Sequence, residues 1–302
     1  MKNDDYIDLS KVMELFLAKK IFISSITTIF TLVGVIYSLN LPNLYKSESV
    51  LISTADDANG SLSQSIGNFA ALAGIDISAG DSSAQRKLTI ATNTLTSRKF
   101  FKIFVDKYDL LPLILASKGY DAKNDIVVYD QSKYNPEVGS WTKKFIENKG
   151  VSYEDAHEIF WTKFASFDQG EELGVYKLSV LYYSPKISEK WNKLLIENVN
   201  SYLKNEEKAL NEKLLYYYQV KLNDNSLLAV TNVISALMSS KLRALALIES
   251  DPNYAFTPVD PPFVPEQKDS PRRSIIVLLF LILGLLASCS YIILKEIFSV
   301  KE

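Results

Sequence analysis

Few residues in this chain could do chemistry. His157 is its single histidine and Cys289 its single cysteine. A Ser-His-Asp relay or a histidine-built metal site needs imidazoles with suitable neighbours. His157 lies in a helical pattern beside Asp155 and Glu158, which reads as a surface position. No glycine-rich loop followed by Lys-Ser/Thr occurs, and no glycine fingerprint follows a strand, so neither common phosphate cradle is present. The carboxylate pairs Glu171-Glu172 and Glu206-Glu207 fall on polar faces, where adjacent acids are usually solvated. Tyr182-Tyr183 and Tyr216-Tyr217-Tyr218 offer ring faces that suit sugar stacking, or core and subunit packing. The expectation is a protein that is not an enzyme, with no catalytic residues, no cofactor and no metal.

Charge narrows the partners. The 302 residues carry a formal net charge of −2, and the span from Pro42 to Arg273 holds 27 cations against 29 anions. Nucleic-acid binding requires clustered cations to neutralise phosphates, so it is excluded. Simple electrostatic capture of an anionic polymer is disfavoured for the same reason. With 47% hydrophobic residues the chain can bury a real core. Cys289 sits in an apolar run, so no internal disulfide framework exists.

Two apolar runs must position whatever lies between them. Ile21–Leu41 and Ser274–Leu294 each carry no charge, and each spans about 30 Å as a helix, the thickness of a hydrocarbon core. The acidic lead Asp4, Asp5, Asp8 and Glu14, and the lack of a small-x-small cleavage site, argue against a signal peptide. Lys2, Lys11, Lys19 and Lys20 hold the amino-terminal segment in the cytoplasm. Two spans then return the carboxyl end to the same side. Arg272 and Arg273 fall on the outer side, against the charge rule. Leu9, Val12, Met13 and Phe16 recur at helical spacing and suggest an amphipathic helix at the inner interface.

Between the spans, Tyr45–Thr54 reads as a strand and Ala55–Gln85 as a Ser/Gly/Ala-rich loop with one short helix. Thr94–Leu115 shows helical spacing ending near Pro112. Ser152 is placed to cap a helix over Ser152–Phe164, with Asp155 completing the capping pattern. Gly174–Tyr183 is a strand with Tyr176, Leu178, Val180 and Tyr182 on one face. Ser184-Pro185 opens a helix whose apolar positions recur every three or four residues to about residue 250. Unbroken, it would reach about 100 Å; Asn223–Ser226 is a plausible break or kink. That apolar stripe exceeds what one domain can cover, which predicts packing against another copy. Tyr254–Val259 is a short strand suited to pair with Tyr45–Thr54.

The expected fold class is therefore an α/β or α+β periplasmic domain with a long helical projection, flanked by two transmembrane helices. Residues 1–20 form a cytoplasmic segment, 21–41 the first span and 42–273 the periplasmic domain, with its long helix over about 185–250. Residues 274–294 form the second span and 295–302 a cytoplasmic tail too short for an output module.

The residues leading into the second run are Pro262, Pro265, Ser270-Pro271-Arg272 and then Gly284. This resembles the proline-rich signature of the Wzz chain-length-determinant family of polysaccharide co-polymerases: P-x-x-P, four residues, S-P-K, eleven residues, then Gly. Arg272 stands where Lys is usual and Ser288 where a second glycine is usual. Asp5–Lys20, Thr94–Pro112 and Tyr153–Phe160 are similar to further blocks of that family. The resemblance implies an inner-membrane homo-oligomer that sets the modal length of O-antigen or a related glycan, acting with a separate membrane polymerase. It also implies the version without a fused tyrosine kinase. An export adaptor for capsule or exopolysaccharide would share this topology without length control. A two-span sensor lacks an output module, and a glycan hydrolase lacks a convincing acid–base pair.

Physically, Pro262, Pro265 and Pro271 fix φ and exclude helix, so the chain reaches the membrane stiffly. Arg272 and Arg273 suit lipid headgroups or the pyrophosphate of a lipid-linked glycan. Gly284 and Ser288 suit close packing on the first span near Gly34, or on a polymerase.

Overall fold

The computed structural model describes residues 16–53, 80–148, 150–170, 174–224 and 228–299. Leu9, Val12 and Met13 of the expected amphipathic helix, and most of the loop expected at 55–85, lie outside them. Residues 80–85 are a correction, because they open a helix, α2 (Gly80–Leu95), rather than ending a loop. The chain divides into two units, Tyr45–Gln267 and the pair of flanking segments Met1–Leu44 and Lys268–Glu302.

The flanking segments each contain one long helix, α1 (Lys20–Asn40) and α9 (Arg273–Ser299), both long and apolar enough to cross a membrane. Two hydroxyls of α1 bond back to their own helix. Thr28 donates to the Ser24 carbonyl at 2.8 Å, and Thr31 to Thr27 at 2.8 Å, so these side chains hide their polarity against their own helix.

The central unit is built on a four-stranded antiparallel sheet of order β6-β7-β1-β8. Its strands are β1 (Tyr45–Ser53), β6 (Ala165–Gln169), β7 (Val175–Tyr182) and β8 (Phe256–Asp260). The expected pairing of the last strand with the first is present, with Leu51 opposite Pro258 and Ile52 opposite Thr257. One face carries the register Tyr45/Tyr182, Ser47/Val180, Ser49/Leu178 and Leu51/Tyr176. Against that face lies α7 (Pro185–Asp224), which buries Trp191, Leu195, Val199 and Leu203. Serines at 47 and 49 leave room for the helix to approach. Asn192 fills that room, giving hydrogen bonds to the carbonyls of Ser47 (3.0 Å) and Leu178 (3.1 Å) and accepting one from Ser49 Oγ (2.8 Å). Asn200 binds β8 in the same way, accepting from the amides of Ala255 and Phe256.

Beside the sheet, Phe160, Phe164, Tyr182 and Trp191 form an aromatic core, with the rings of Tyr182 and Trp191 4.5 Å apart. Ser152 caps α6 (Tyr153–Ile159) as expected, accepting from the Asp155 amide at 3.2 Å. His157 is more than a surface residue: its Nε2 meets the Thr96 carbonyl at 2.8 Å and its ring sits edge-on to Phe101.

The helix expected over 94–115 is three pieces. Ser97 takes the N-cap of α3 (Arg98–Tyr108), accepting from the Phe100 amide at 3.2 Å, so α2 stops just before it. Asp109 then adopts a left-handed backbone (φ 50°) and ends α3. Pro112 stands in the first turn of α4 (Leu111–Leu115), where its missing N–H costs nothing. Two hairpins that the pattern did not announce follow, β2 (Ser117–Asp121) with β3 (Ile126–Tyr129) and β4 (Tyr134–Asn135) with β5 (Ser140–Trp141). They lead into α5 (Lys143–Asn148).

The helix expected over about 185–250, with a plausible break or kink at Asn223–Ser226, is two helices. α7 extends for 40 residues, about 60 Å, and α8 (Leu228–Ser250) folds back along it. The antiparallel course is fixed by Lys208 and Glu249 at 2.7 Å, and by Lys204 donating to the carbonyls of Glu249 and Asp251 at the end of α8. A cation there also meets the negative end of the helix dipole. Folding back buries Ile234 and Ile248 but leaves Leu210, Tyr217, Val233 and Leu242 exposed, Val233 at 60%.

Tyr182 makes the domain sensitive to alkali. Its ring is fully buried and its hydroxyl donates to the Leu113 carbonyl at 3.0 Å; burial holds the phenol far above its usual range. Burial also pushes Tyr254 up to about 12. The unfolded chain releases these protons near pH 10 and the folded chain keeps them, so stability present below about pH 10 falls as pH rises. Urea unfolding at pH 9 and pH 11 should show a smaller pH-dependent loss for Tyr182→Phe than for wild type. Equal losses would mean that this phenol does not drive the effect.

Candidate functional site in the proline-rich lead and the helix pair

The signature residues fall in both units. In the central unit, Pro265 is buried, while Pro262 is half-buried and lines a cavity of about 450 Å³ with Glu189, Lys193 and Glu197 of α7. In the lead after β8, Ser47 Oγ donates to the Phe263 carbonyl at 2.9 Å. Four prolines between 258 and 265 restrict φ there.

In the helix pair, the segment leaving α1 is hydrogen-bonded to the segment arriving at α9. The Leu44 amide donates to the Ser270 carbonyl at 2.8 Å, and the Asp269 amide donates to the Leu44 carbonyl at 2.9 Å. Ser270 thus pairs with Leu44 in a short antiparallel bridge, and Pro271 follows it. Arg272 is exposed and Arg273 begins the helix, with Nη2 donating to Asn43 Oδ1 at 3.2 Å. Sequence reasoning missed Asn43, whose role depends on a turn that has no pattern of its own.

α1 and α9 pack antiparallel through two reciprocal notches. A Cβ added at Gly284 would stand 2.7 Å from Phe30 Cβ and 3.1 Å from Thr27 Cα, and one at Gly34 would stand 2.6 Å from Phe280 Cβ. Each helix therefore seats a phenylalanine in the other's glycine gap, one turn apart. Gly284 thus faces α1 at Phe30, one turn from Gly34. Ser288, four residues on, is buried and donates to the Leu285 carbonyl at 2.8 Å. Phe22 and Tyr291 meet at 5.5 Å, and Tyr37 and Phe280 at 6.0 Å, continuing the seam. The two phenylalanine partners were not singled out in the sequence, because one aromatic among many in an apolar run gives no signal.

Among the described residues no group of three or more His, Cys, Asp or Glu is placed to hold a metal ion. Tyr216 and Tyr217 are exposed on α7, and the rings of Tyr217 and Tyr218 lie 5.9 Å apart.

No curated protein matches the chain. Among solved structures, a full-length bacterial polysaccharide co-polymerase is similar at 11% identity and TM-score 0.39, with 98% of each chain covered. A fragment of WzzB, a polysaccharide co-polymerase from Salmonella Typhimurium, is similar at 11% identity and TM-score 0.30, over 76% of this chain and 100% of that one. Likenesses of this size carry no argument about function. The sequence match is more specific, falling on residues 5–107 and on the family described as Wzz, chain length determinant protein. That match covers about a third of the chain, and the proline-rich signature from Pro262 to Gly284 lies outside it.

Proposed function

We propose that this protein is a polysaccharide co-polymerase of the inner membrane that regulates the modal chain length of O-antigen or a related surface glycan. The observation that carries this reading is the Wzz match over residues 5–107 in a chain with a membrane-length helix near each end. The central domain is then periplasmic and both termini cytoplasmic, as the lysines before the first span require. The protein catalyses nothing itself and works beside a membrane polymerase. It does so as a homo-oligomer, supported by the apolar residues Leu210, Val233 and Leu242 that the α7–α8 hairpin leaves uncovered. Pro262, Pro265, Ser270, Pro271 and Arg272 stiffen the approach to the second span, and Gly284 and Ser288 lock it to the first.

The export-adaptor reading shares the topology and predicts a different phenotype. Deleting the gene and running the cell's lipopolysaccharide on a gel separates the two. Length control predicts a ladder that keeps its polymer and loses its modal band. Complete loss of polymer supports export instead, and an unchanged ladder counts against both.

A further inference from the structure

We propose that Arg272 and Arg273 form an oriented site for the phosphate of a membrane lipid, at the end of the helix pair where α1 stops and α9 begins. The inference rests on the helix pair lying in a bilayer, and not on the chain-length reading. The uncharged stretch of α9 starts at Ser274 and that of α1 ends at Leu41, so both guanidinium groups sit at headgroup level. Cations on the outer flank of a span work against the charge rule, which makes their presence informative.

The geometry around Arg273 supplies the specificity. Its Nη2 is engaged by Asn43 at 3.2 Å, while its Nε is buried and has no hydrogen-bond partner among the described residues. A guanidinium offers five donors in a rigid fork, so most of that fork is uncommitted. Among the described residues neither arginine is in a salt bridge, although Glu266 and Asp269 are near in sequence. The Leu44–Ser270 bridge fixes the turn that carries Asn43 and so holds the fork in place. The buried Nε is out of a phosphate's reach, so the phosphate would meet the uncommitted Nη donors, which match its several acceptor oxygens in shape and charge. Arg272, adjacent and exposed, adds a second cation to the same headgroup.

The test uses the full chain in a neutral detergent, with native mass spectrometry reading the retained probe. Phosphatidylglycerol should be retained in preference to diacylglycerol. The R272Q/R273Q variant should bind phosphatidylglycerol about 30-fold more weakly, about fivefold for each arginine. The N43A variant keeps both charges but frees the fork, and should lose about threefold. A polyprenyl diphosphate that binds more tightly, with the same dependence on the arginines, would identify the isoprenoid lipid as the source of the phosphate. Free pyrophosphate binding as tightly as either lipid would overturn the lipid assignment. Unchanged retention in R272Q/R273Q would overturn the site altogether. Unchanged affinity in N43A would overturn its orientation, and that arm stands even if the double variant fails to insert.

Discussion

Replacing Gly284 with leucine should pry the two long helices apart. The new Cβ would press on Phe30 Cβ at 2.7 Å and on Thr27 Cα at 3.1 Å, and the second of these is backbone that no rotamer change can clear. The reciprocal notch at Gly34 leaves the pair no freedom to slide, because shifting α9 drives Phe280 into a second close contact. Overpacking of this kind costs about 3 kcal/mol. In bilayers, helix association depends on close packing rather than on the hydrophobic effect, so the loss is not recovered elsewhere. Cysteines introduced by Phe22→Cys and Tyr291→Cys, where the native rings meet at 5.5 Å, should be joined by a short bis-maleimide linker in a Cys289→Ala background. Adding Gly284→Leu should abolish the crosslink and alter the glycan length distribution. Crosslinking at the starting level would refute the notch, and an unchanged distribution would separate the notch from length control.

Asn192→Leu should be the most damaging single change inside the central domain. The asparagine is fully buried, and its amide spends both hydrogens and its oxygen on β1 and β7. Leucine is similar in size, so no cavity forms; the cost comes from the stranded groups. Ser49 Oγ and two strand carbonyls each lose a partner in a dry interface, for a total of about 3 kcal/mol. Ser49→Ala removes one partner and should cost about 1 kcal/mol. Thermal unfolding of the two variants in detergent checks the ranking. A leucine variant no less stable than the alanine one would show that packing, not this polar clasp, joins helix to sheet.

The features most legible in sequence were those with strong periodicity. The period-two run Tyr176, Leu178, Val180 and Tyr182 marks the inner face of β7, and all four are buried. Two uncharged runs of 21 residues declare the long terminal helices. α2 was hidden because Gly, Ser, Asp and Thr dominate its composition, and its stripe of Leu88, Ala91 and Leu95 matters only once α7 lies beside it. The hairpins over 117–141 are short and half-exposed, so neither alternation nor burial marks them. The interruption between α7 and α8 was signalled at Asn223–Ser226, but the fold-back was not, since the apolar spacing continues into α8 and a kinked rod fits it equally well. In and beside the signature, the types at Arg273 and Gly284 could be read, but their partners Asn43, Phe30 and Thr27 come from the other end of the chain. Only the folded arrangement pairs them.

The sheet also constrains the order in which this protein can be made. β1 emerges from the ribosome early, yet Ser49 must wait for Leu178, 129 residues later, and Ser47 for Phe263, 216 residues later. A strand flanked on both sides by late arrivals cannot settle during synthesis. The sheet must therefore stay incomplete until the residues just ahead of α9 have been made.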